Sequence, residues 1–448
     1  MVSAESFWTS SLRLSPEGGR ITRVLSAAIK GIDPGMAVTR NVIRNGDMLT
    51  ISGRVYDLRS FHRVILLGMG KASLAMSVAL ANILADRLSD GLVISKQPSL
   101  SFYSPMTLLI GGHPVPDEHS LEAGKKTIEL LSSLGPDDLL FCLISGGSSA
   151  LVAAPLSGIS LADIQVLSSA LIASGARIDE INTLRRKLDK LKGGGVVNMT
   201  AGATVISLIL SDVVGNSLEA IASGPTAPDP STRANSLAIL AKYGLEPRVP
   251  TSILRSLRTS PENPKPGDPL FAKVQNVIVG GNLQAAQAAL TQADLEGFYP
   301  YLLSANLQGE ARQAAFELAT FLRQAHLAGD PVPTPACIVA GGETTVTLQG
   351  DGKGGRNTEL ALAAVSELAD FPGVMLVTLA TDGEDGPTDA AGAVVMGSTF
   401  RRAAGLGLHP GHFLDRNDSY TFFSALDDLL KPGQTGTNAN DLVFLFSF

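Results

Sequence analysis

Short, almost uninterrupted apolar runs alternate along the chain with segments whose apolar residues recur at helical spacing. In the first half the runs predict strands at Val64–Leu67, Gly91–Ile94, Thr107–Ile110, Leu139–Ile144 and Thr204–Leu210. Helical patterns such as Ala72–Leu88 and Ser120–Leu134 lie between them. Strands without polar alternation are typical of parallel sheets that helices cover on both faces. We therefore expect an α/β fold with a Rossmann-like, largely parallel sheet in this half.

The second half contains more strands with shorter connections. Its predicted strands are Asn276–Val279, Tyr299–Ser304, Ala336–Ala340, Thr344–Gln349, Val374–Ala380, Gly392–Met396 and Leu442–Phe446. Its helical patterns are Leu283–Leu295, Gly309–Leu327, Thr358–Leu368, Ser398–Gly405 and Tyr420–Leu430. The strands at Ile338 and Thr344 are too close for a crossover helix, so this sheet is expected to be mixed.

A chain of 448 residues is too long for one ordinary core, so more than one domain is expected. Proline-rich, polar sequence over residues 225–270 indicates the boundary. We expect an N-terminal domain over residues 1–235 and a C-terminal domain over residues 236–448. Residues 21–43 predict a helix broken at Asp33-Pro34-Gly35, and this first helix could pack on the second domain.

Composition narrows the classes of partner. The net charge of −7 argues against a nucleic-acid binder, which usually presents a basic face. Cys142 and Cys337 lie in apolar strand candidates, so neither a disulfide framework nor a cysteine metal site is expected. With no apolar run long enough to span a membrane and no secretory pattern near the start, we expect a cytoplasmic protein.

Glycines end many of the predicted strands. The clearest case is Ser145-Gly146-Gly147-Ser148-Ser149, where exposed backbone N–H groups, two hydroxyls and a helix start predict an anion site. Gly70-Lys71 ends the first of these strands, but Ser73 stands where a dinucleotide fingerprint has its third glycine. Lys71 at a helix start either points into solvent or stabilises charge on a transferred group.

Charged loops follow strands in the second half as well. Arg356-Asn357 follows a glycine-rich loop, which is either a hairpin tip or a fork for phosphate or carboxylate. The loop from Thr381 to Asp389 carries four acids, typical of an acidic turn, a catalytic base or a Mg²⁺ site. Asp212 and Glu343 each follow a strand, where α/β sheets place ligands, although a solvated carboxylate is equally compatible.

A basic helical segment ends at a glycine run, Gly193–Gly195. Its basic residues, among them Arg186 and Lys187, predict a solvated face, with the alternative that Lys192 reaches a phosphate. The histidines, including His113 in a Gly-Gly-His-Pro turn, show no triad or metal spacing. Ser148 lacks the nucleophile-elbow pattern. Phosphoryl transfer is favoured by the combination of glycine-rich turns that could bind anions, a lysine, an arginine and acidic loops.

Nine short motifs occur in an order that resembles the class II glycerate 2-kinases, whose C-terminal part is the MOFRL domain. The motifs begin at Gly68, Gly112, Ser145, Lys192, Ser211, Ile221, Gly341, Gly354 and Thr381. The resemblance covers the chain from about Arg23 to the end. It departs from the usual pattern at Asn216 and at Lys187, which stands where relatives often carry histidine.

The resemblance implies ATP-dependent phosphorylation of D-glycerate at the 2-hydroxyl, giving 2-phosphoglycerate, with Mg²⁺ or another divalent cation. It also implies an active site in a cleft between a Rossmann-like domain and a mixed α/β domain. Lys71, Arg356 and Asp382 match the proposed catalytic residues. The candidate substrate- and nucleotide-binding residues are Gly70, Ser145, Gly146, Gly147, Ser148, Ser149, Lys192, Asp212, Asn216, Glu343 and Asn357. Asp212 and Asp385 are the candidate metal ligands.

Two other functions remain open on the sequence. Similar sequences are sometimes labelled hydroxypyruvate reductase, an NAD(P)H-dependent oxidoreductase, which would need a dinucleotide site. A noncatalytic anion-binding protein would fit the glycine cradles but leaves the acidic loops unexplained. The expected partners are small molecules only, and the protein is expected to be a monomer or a homodimer.

Overall fold

The computed structural model describes residues 2–98 and 104–448, which fold into helices α1–α17 and strands β1–β15. The strands are β1 Val42–Asn45, β2 Met48–Ile51, β3 Arg54–Asp57, β4 Val64–Met69, β5 Leu88–Ser95, β6 Met106–Ile110, β7 Leu139–Ile144, β8 Thr204–Leu210, β9 Val274–Gly280, β10 Tyr299–Leu307, β11 Ala336–Gly342, β12 Val374–Ala380, β13 Gly392–Met396, β14 Leu429–Leu430 and β15 Asp441–Ser447. The helices are α1 Ser10–Leu14, α2 Gly18–Gly31, α3 Pro34–Asn41, α4 Ser73–Leu84, α5 Glu118–Ser132, α6 Ser148–Leu151, α7 Leu161–Ala173, α8 Ile178–Leu188, α9 Gly195–Asn198, α10 Arg233–Lys242, α11 Thr251–Thr259, α12 Asn282–Leu295, α13 Ala311–Ala328, α14 Arg356–Glu367, α15 Thr399–Gly405, α16 Pro410–Asp415 and α17 Ser419–Ala425.

The chain divides into two compact units. The parallel-sheet unit comprises Pro34–Ser211 and Asn216–Val279, and the mixed-sheet unit comprises Met1–Asp33, Asp212–Gly215 and Gly280–Phe448. The sequence-based boundary at residues 235–236 therefore differs from the division in the structure. Helices α10 and α11 pack on α8, which keeps residues 236–279 with the first unit.

The parallel-sheet unit contains a six-stranded sheet in the order β6-β5-β4-β7-β8-β9. The pairs from β6 to β8 are parallel and in close register, with Val64 opposite Leu139 and Met69 opposite Ile144. Every residue of β4 and β7 is buried, which explains their continuous apolar sequence. The expected parallel sheet is confirmed, and the carboxyl ends of its strands lie at one edge.

A small antiparallel sheet, β1-β2-β3, precedes the large one, and the sequence analysis did not predict it. Its strands have four residues each; β1 and β2 are partly buried, and β3 contains no buried residue. Strands this short and half-exposed give too weak an alternation to be recognised.

The mixed-sheet unit contains a six-stranded sheet in the order β10-β11-β15-β12-β13-β14. Only β10 and β11 are parallel, and β15 runs antiparallel to both of its neighbours, β11 and β12. Helices α13 and α14 cover one face, and α2 and α12 cover the other. The packing of α2 in this unit follows from the apolar stripe that Ile21, Val24, Leu25 and Ala28 form along it.

The expected mixed sheet is confirmed, but one reason given for it is wrong. Residues 344–349 form no strand and contribute only an isolated bridge between Glu310 and Thr345. The antiparallel strands come from β15 and from the hairpin of β12 and β13. None of the helices in the described residues combines the length and apolar character that a membrane-spanning helix requires.

Candidate active site

The turns after β4 and β7 are joined through their backbones. The amide of Ser145 donates to the carbonyl oxygen of Met69 (3.0 Å), and the amide of Lys71 donates to that of Gly146 (2.9 Å). The Ser145 hydroxyl accepts a hydrogen bond from the amide of Ala72 (3.0 Å). Gly70 has φ +125°, and a Cβ there would lie 2.3 Å from the Ser145 hydroxyl oxygen, so only glycine fits. These contacts fix Lys71 beside the glycine-rich turn.

The hydroxyl of Ser148 points back into the fold. Its oxygen lies 2.7 Å from the carbonyl oxygen of Met69 and 2.6 Å from that of Ser145, and the residue is buried. Ser149 is half-buried and its hydroxyl lies 3.1 Å from that of Ser223. The structure thus gives Ser145 and Ser148 roles in joining strand ends, while Gly146 and Gly147 remain partly open to solvent.

His113 lies at the same edge of the sheet, although the sequence analysis gave it no role. A Cβ on Gly147 would lie 3.1 Å from the His113 ring and 3.2 Å from Cγ of Lys71, so both side chains cover this glycine. Burial, together with the charges of Lys71 and Lys96, lowers the pKa of His113 to about 4. A neutral imidazole therefore stands beside the exposed Lys71 side chain at neutral pH.

Arg186, Lys187 and Lys192 are buried, and Arg185 and Lys190 are half-buried, so the expected solvated face is wrong. Lys187 is fully buried and its ammonium contacts Asp229 (2.7 Å) and Glu262 (3.1 Å). Lys192 is buried as well and lies 2.7 Å from the carboxylate of Asp189. Burying unpaired charges is costly, so these partners are what allow the helix to pack inward. The phosphate-binding role of Lys192 stays a prediction.

In the mixed-sheet unit, three strand ends meet at one edge. Asp441, the first residue of β15, is paired in register with Gly342 of β11 on one side and Ala380 of β12 on the other. Because β15 is antiparallel to both, its beginning lies beside the ends of its neighbours. Glu343, which follows β11, and Asp382, which closely follows β12, are therefore brought to the edge that carries Asp441.

Arg356, the first residue of α14, is bound by carboxylates at this edge. Its Nε and Nη2 donate to the two oxygens of Asp441 (2.5 and 3.3 Å), and its Nη1 donates to Glu343 (2.6 Å). Burial alone would lower the pKa of Arg356, but the charges of Asp441, Glu343 and Asp385 outweigh it and raise the pKa. Burial raises the pKa of Asp441 to about 6, against the opposing effects of Arg356 and a hydrogen bond from Asn357.

Asp441 was missed by the sequence analysis. The only signal was an acidic residue immediately before an apolar run, Leu442–Phe446, which is also a common surface pattern. The pairing with Arg356 depends on strand order, which the local sequence does not contain.

Asp385 caps α14 rather than facing outward. One of its oxygens accepts from the amide and side chain of Asn357 (2.9 and 3.3 Å), and the other from the amide and hydroxyl of Thr358 (both 2.8 Å). Both oxygens are occupied and the residue is 1% exposed, so Asp385 does not fit the metal-ligand role expected for it. Across residues 2–98 and 104–448, no group of three or more His, Cys, Asp or Glu could hold a metal ion.

The other candidate residues are placed as follows. Asp382 is half-buried, and its carboxylate accepts from the amide of Glu384 (3.1 Å). Asp212 belongs to the short segment that clusters with the mixed-sheet unit, and Asn216 has φ +54° at the start of the next segment. The structure brings Glu343, Arg356 and Asn357 into one unit and Lys71 with the Ser145–Ser149 turn into the other.

Comparison with known proteins assigns the chain to a family. Residues 20–258 match a model described as a domain of unknown function (DUF4147), and residues 336–441 match the MOFRL family. A protein from Pyrococcus horikoshii named glycerate 2-kinase is 37% identical over 94% of this chain and 95% of its own length. This chain belongs to the glycerate 2-kinase family.

A crystal structure supports the family assignment, and a second relative carries a different name. The structure, named glycerate kinase and from Thermotoga maritima, superposes with a TM-score of 0.85 at 36% identity, covering 95% of this chain and 98% of that one. A relative from Agrobacterium vitis, 37% identical over 94% of this chain and 92% of its own length, is named "Putative hydroxypyruvate reductase". The region that matches the first family model includes Lys71 and the Ser145–Ser149 turn, and the region that matches the second runs from β11 to Asp441.

Proposed function

We propose that this protein transfers the γ-phosphoryl group of ATP to the 2-hydroxyl of D-glycerate, forming 2-phosphoglycerate and ADP. The observation that carries the proposal is the presence of two cationic sites, Lys71 on a glycine-rich turn and Arg356 on a helix start, in a chain of this family. Phosphoryl transfer requires the protein to position the reactants and neutralise charge more than to form covalent bonds. Both cationic sites could neutralise charge in this way.

The proposed roles follow from the chemistry of each side chain. Lys71 and Arg356 stabilise negative charge on the transferred group, and the backbone amides of Gly146 and Gly147 are available to bind anionic oxygens. Asp382 orients the attacking 2-hydroxyl and accepts its proton. Lys192, Asp212, Asn216, Glu343 and Asn357 are assigned to substrate or nucleotide binding on the resemblance of their motifs.

A divalent cation fits this chemistry as a companion of the nucleotide. Mg²⁺ usually takes one or two protein carboxylates together with substrate phosphates, so the lack of a three-ligand cluster among the described residues is compatible with it. When bound, such an ion would neutralise charge on the phosphate oxygens. Since Asp385 is occupied by the helix cap, Asp212 is the remaining candidate ligand.

Hydroxypyruvate reduction is the second candidate, favoured by the name of the Agrobacterium vitis relative. It would need the turn after β4 to hold a dinucleotide. Ser73 occupies the third glycine position, and its buried hydroxyl oxygen lies 2.7 Å from the carbonyl oxygen of Gly70 and 2.8 Å from that of Ile94. That arrangement departs from the fingerprint, in which a glycine allows close packing of helix and strand.

One coupled assay separates the candidates. Purified protein with D-glycerate, ATP and Mg²⁺ should release ADP and form 2-phosphoglycerate, and hydroxypyruvate should not consume NADH. Lys71→Ala and Arg356→Ala should each lower kcat by about tenfold or more, as expected when charge-stabilising groups are removed, with unchanged circular dichroism. Wild-type rates in both variants would refute the assigned roles, and NADH oxidation without ADP release would refute the kinase. We also propose a cytoplasmic location. We further propose a monomer or homodimer, and light scattering would test this oligomeric state.

A further inference from the structure

The contacts of Arg356 divide into one buried and one exposed carboxylate. Asp441 binds the guanidinium along the edge formed by Nε and Nη2, and its side chain is 8% exposed. Glu343 binds Nη1 alone, and its side chain is 41% exposed. A two-point contact fixes both the position and the plane of a guanidinium, whereas a one-point contact leaves it free to rotate.

Arg356 also lies at a position that is electrostatically unfavourable for a cation. As the first residue of α14, it lies beside the amides that have no partner within the helix and at the positive end of the helix dipole. Asp385 satisfies the amides of Asn357 and Thr358. The positive charge of Arg356 is neutralised by direct contact with Asp441. The pairing of Asp441 with Gly342 and Ala380 holds this residue rigidly in the sheet.

We propose that Asp441 is the positioning residue of Arg356: it locks the guanidinium plane at the sheet edge, while Nη1 is the position at which an anionic group of the substrate or nucleotide replaces Glu343. This inference rests on the proposed function, because it presumes that Arg356 stabilises the transferred phosphoryl group. Asp441 touches no reacting atom. It acts by fixing the geometry of the Arg356 guanidinium, which would stabilise the transferred phosphoryl group less well if it were disordered.

The mixed-sheet unit offers a matched control. Asp428 is a fully buried aspartate that is likewise paired with an arginine, Arg402 (2.8 Å), and it also accepts from the amide and hydroxyl of Ser11. Burial raises the pKa of Asp428 as it does that of Asp441. None of these three residues belongs to the candidate site, so Asp428→Asn reproduces the loss of a buried carboxylate–arginine pair elsewhere in the same unit.

The test compares Asp441→Asn, Asp441→Glu and Asp428→Asn in the full-length protein. Both Asn variants should lower the melting temperature. Only Asp441→Asn should lower kcat, by about ten- to hundredfold, the change that corresponds to losing one charge-assisted hydrogen bond. Asp441→Glu should recover part of kcat because it restores the charge. An equal kcat loss in Asp428→Asn, or a wild-type kcat in Asp441→Asn, would overturn the proposal.

A readout independent of activity separates this proposal from the proposed function. In ¹⁵N NMR spectra the Nε–H of Arg356, assigned by its absence in Arg356→Lys, should exchange slowly with water in the wild type and in Asp428→Asn. It should exchange rapidly in Asp441→Asn. If that holds but no ADP is formed from glycerate, the proposed function fails and the positioning contact stands. A slowly exchanging Nε–H in Asp441→Asn would overturn the positioning role whatever the reaction.

Discussion

Replacing Asp385 by asparagine tests whether this residue is a helix cap or a metal ligand. In the structure its two oxygens accept four hydrogen bonds from the first turn of α14. Asparagine keeps one acceptor oxygen and turns an NH₂ group toward the donors of the other pair. If the NH₂ group faces Thr358, the hydroxyl can rotate to accept from it, and one buried N–H loses its acceptor at a cost of about 1–3 kcal/mol. The helix start also loses a negative charge worth about 0.3–1 kcal/mol.

Relief of burial offsets part of that loss. Desolvation raises the pKa of Asp385 in the folded state, so removing its charge recovers some free energy. We therefore expect a net loss in unfolding free energy of about 1–3 kcal/mol, read as a lower denaturation midpoint in urea by circular dichroism. Asp163→Asn, at the more exposed cap of α7, is the control and should cost less. Wild-type stability together with a kinase rate restored by excess Mg²⁺ would refute the cap and support metal binding.

Two further predictions concern the turn around Lys71. Gly70→Ala should destabilise the protein by more than about 2 kcal/mol, because φ +125° is strained for alanine and its Cβ would lie 2.5 Å from the Ser145 carbonyl oxygen. Gly158→Ala, also at positive φ but with nothing within 4 Å, should cost less; equal midpoints in urea would contradict the steric argument. Burial lowers the pKa of His113 from 6.5 to about 4 in the folded protein. The folded state therefore binds fewer protons, and the stabilising contribution is present above pH 6.5 and is lost as pH falls toward 4. His113→Gln should show a smaller fall in unfolding free energy between pH 7.5 and 5, and parallel curves would contradict the lowered pKa.

The parts of the fold that the sequence predicts best are the strands buried on both faces. Residues 139–144, 204–210 and 374–380 form strands with the bounds expected from their apolar runs. These runs contain at most a single Ser or Thr in their interior, and such continuous apolar sequence is typical of strands covered on both faces. Half-exposed segments lack this constraint. Residues 344–349 alternate like a strand, yet they contribute one bridge and otherwise no ladder.

The candidate site could be predicted only as far as its residues follow strand ends. Glu343 and the acidic loop that contains Asp382 were recognised because they follow buried runs, whereas the catalytic role of Asp382 came from the family resemblance. The pairing of Arg356 with Asp441 could not be predicted from the sequence, because the two residues are separated by 85 positions. They meet only because β15 lies between β11 and β12 in the sheet. The basic helix was misjudged for the same reason. Its periodicity is amphipathic, but the carboxylates that neutralise Lys187 come from distant segments.

The two proposed catalytic cations are presented in physically different ways. The backbone of Lys71 is fixed by the Ser145 turn, but its side chain is exposed and lies along Gly147, so ordering it on a ligand costs up to about 2 kcal/mol of rotamer entropy. The guanidinium of Arg356 is already ordered by two carboxylates, so most of that cost is met on folding. A flexible ammonium can follow a phosphoryl group as it moves, whereas a fixed fork defines one position for it. Arg356 therefore offers its charge at one defined position, whereas Lys71 offers a charge that can adapt to the ligand it meets.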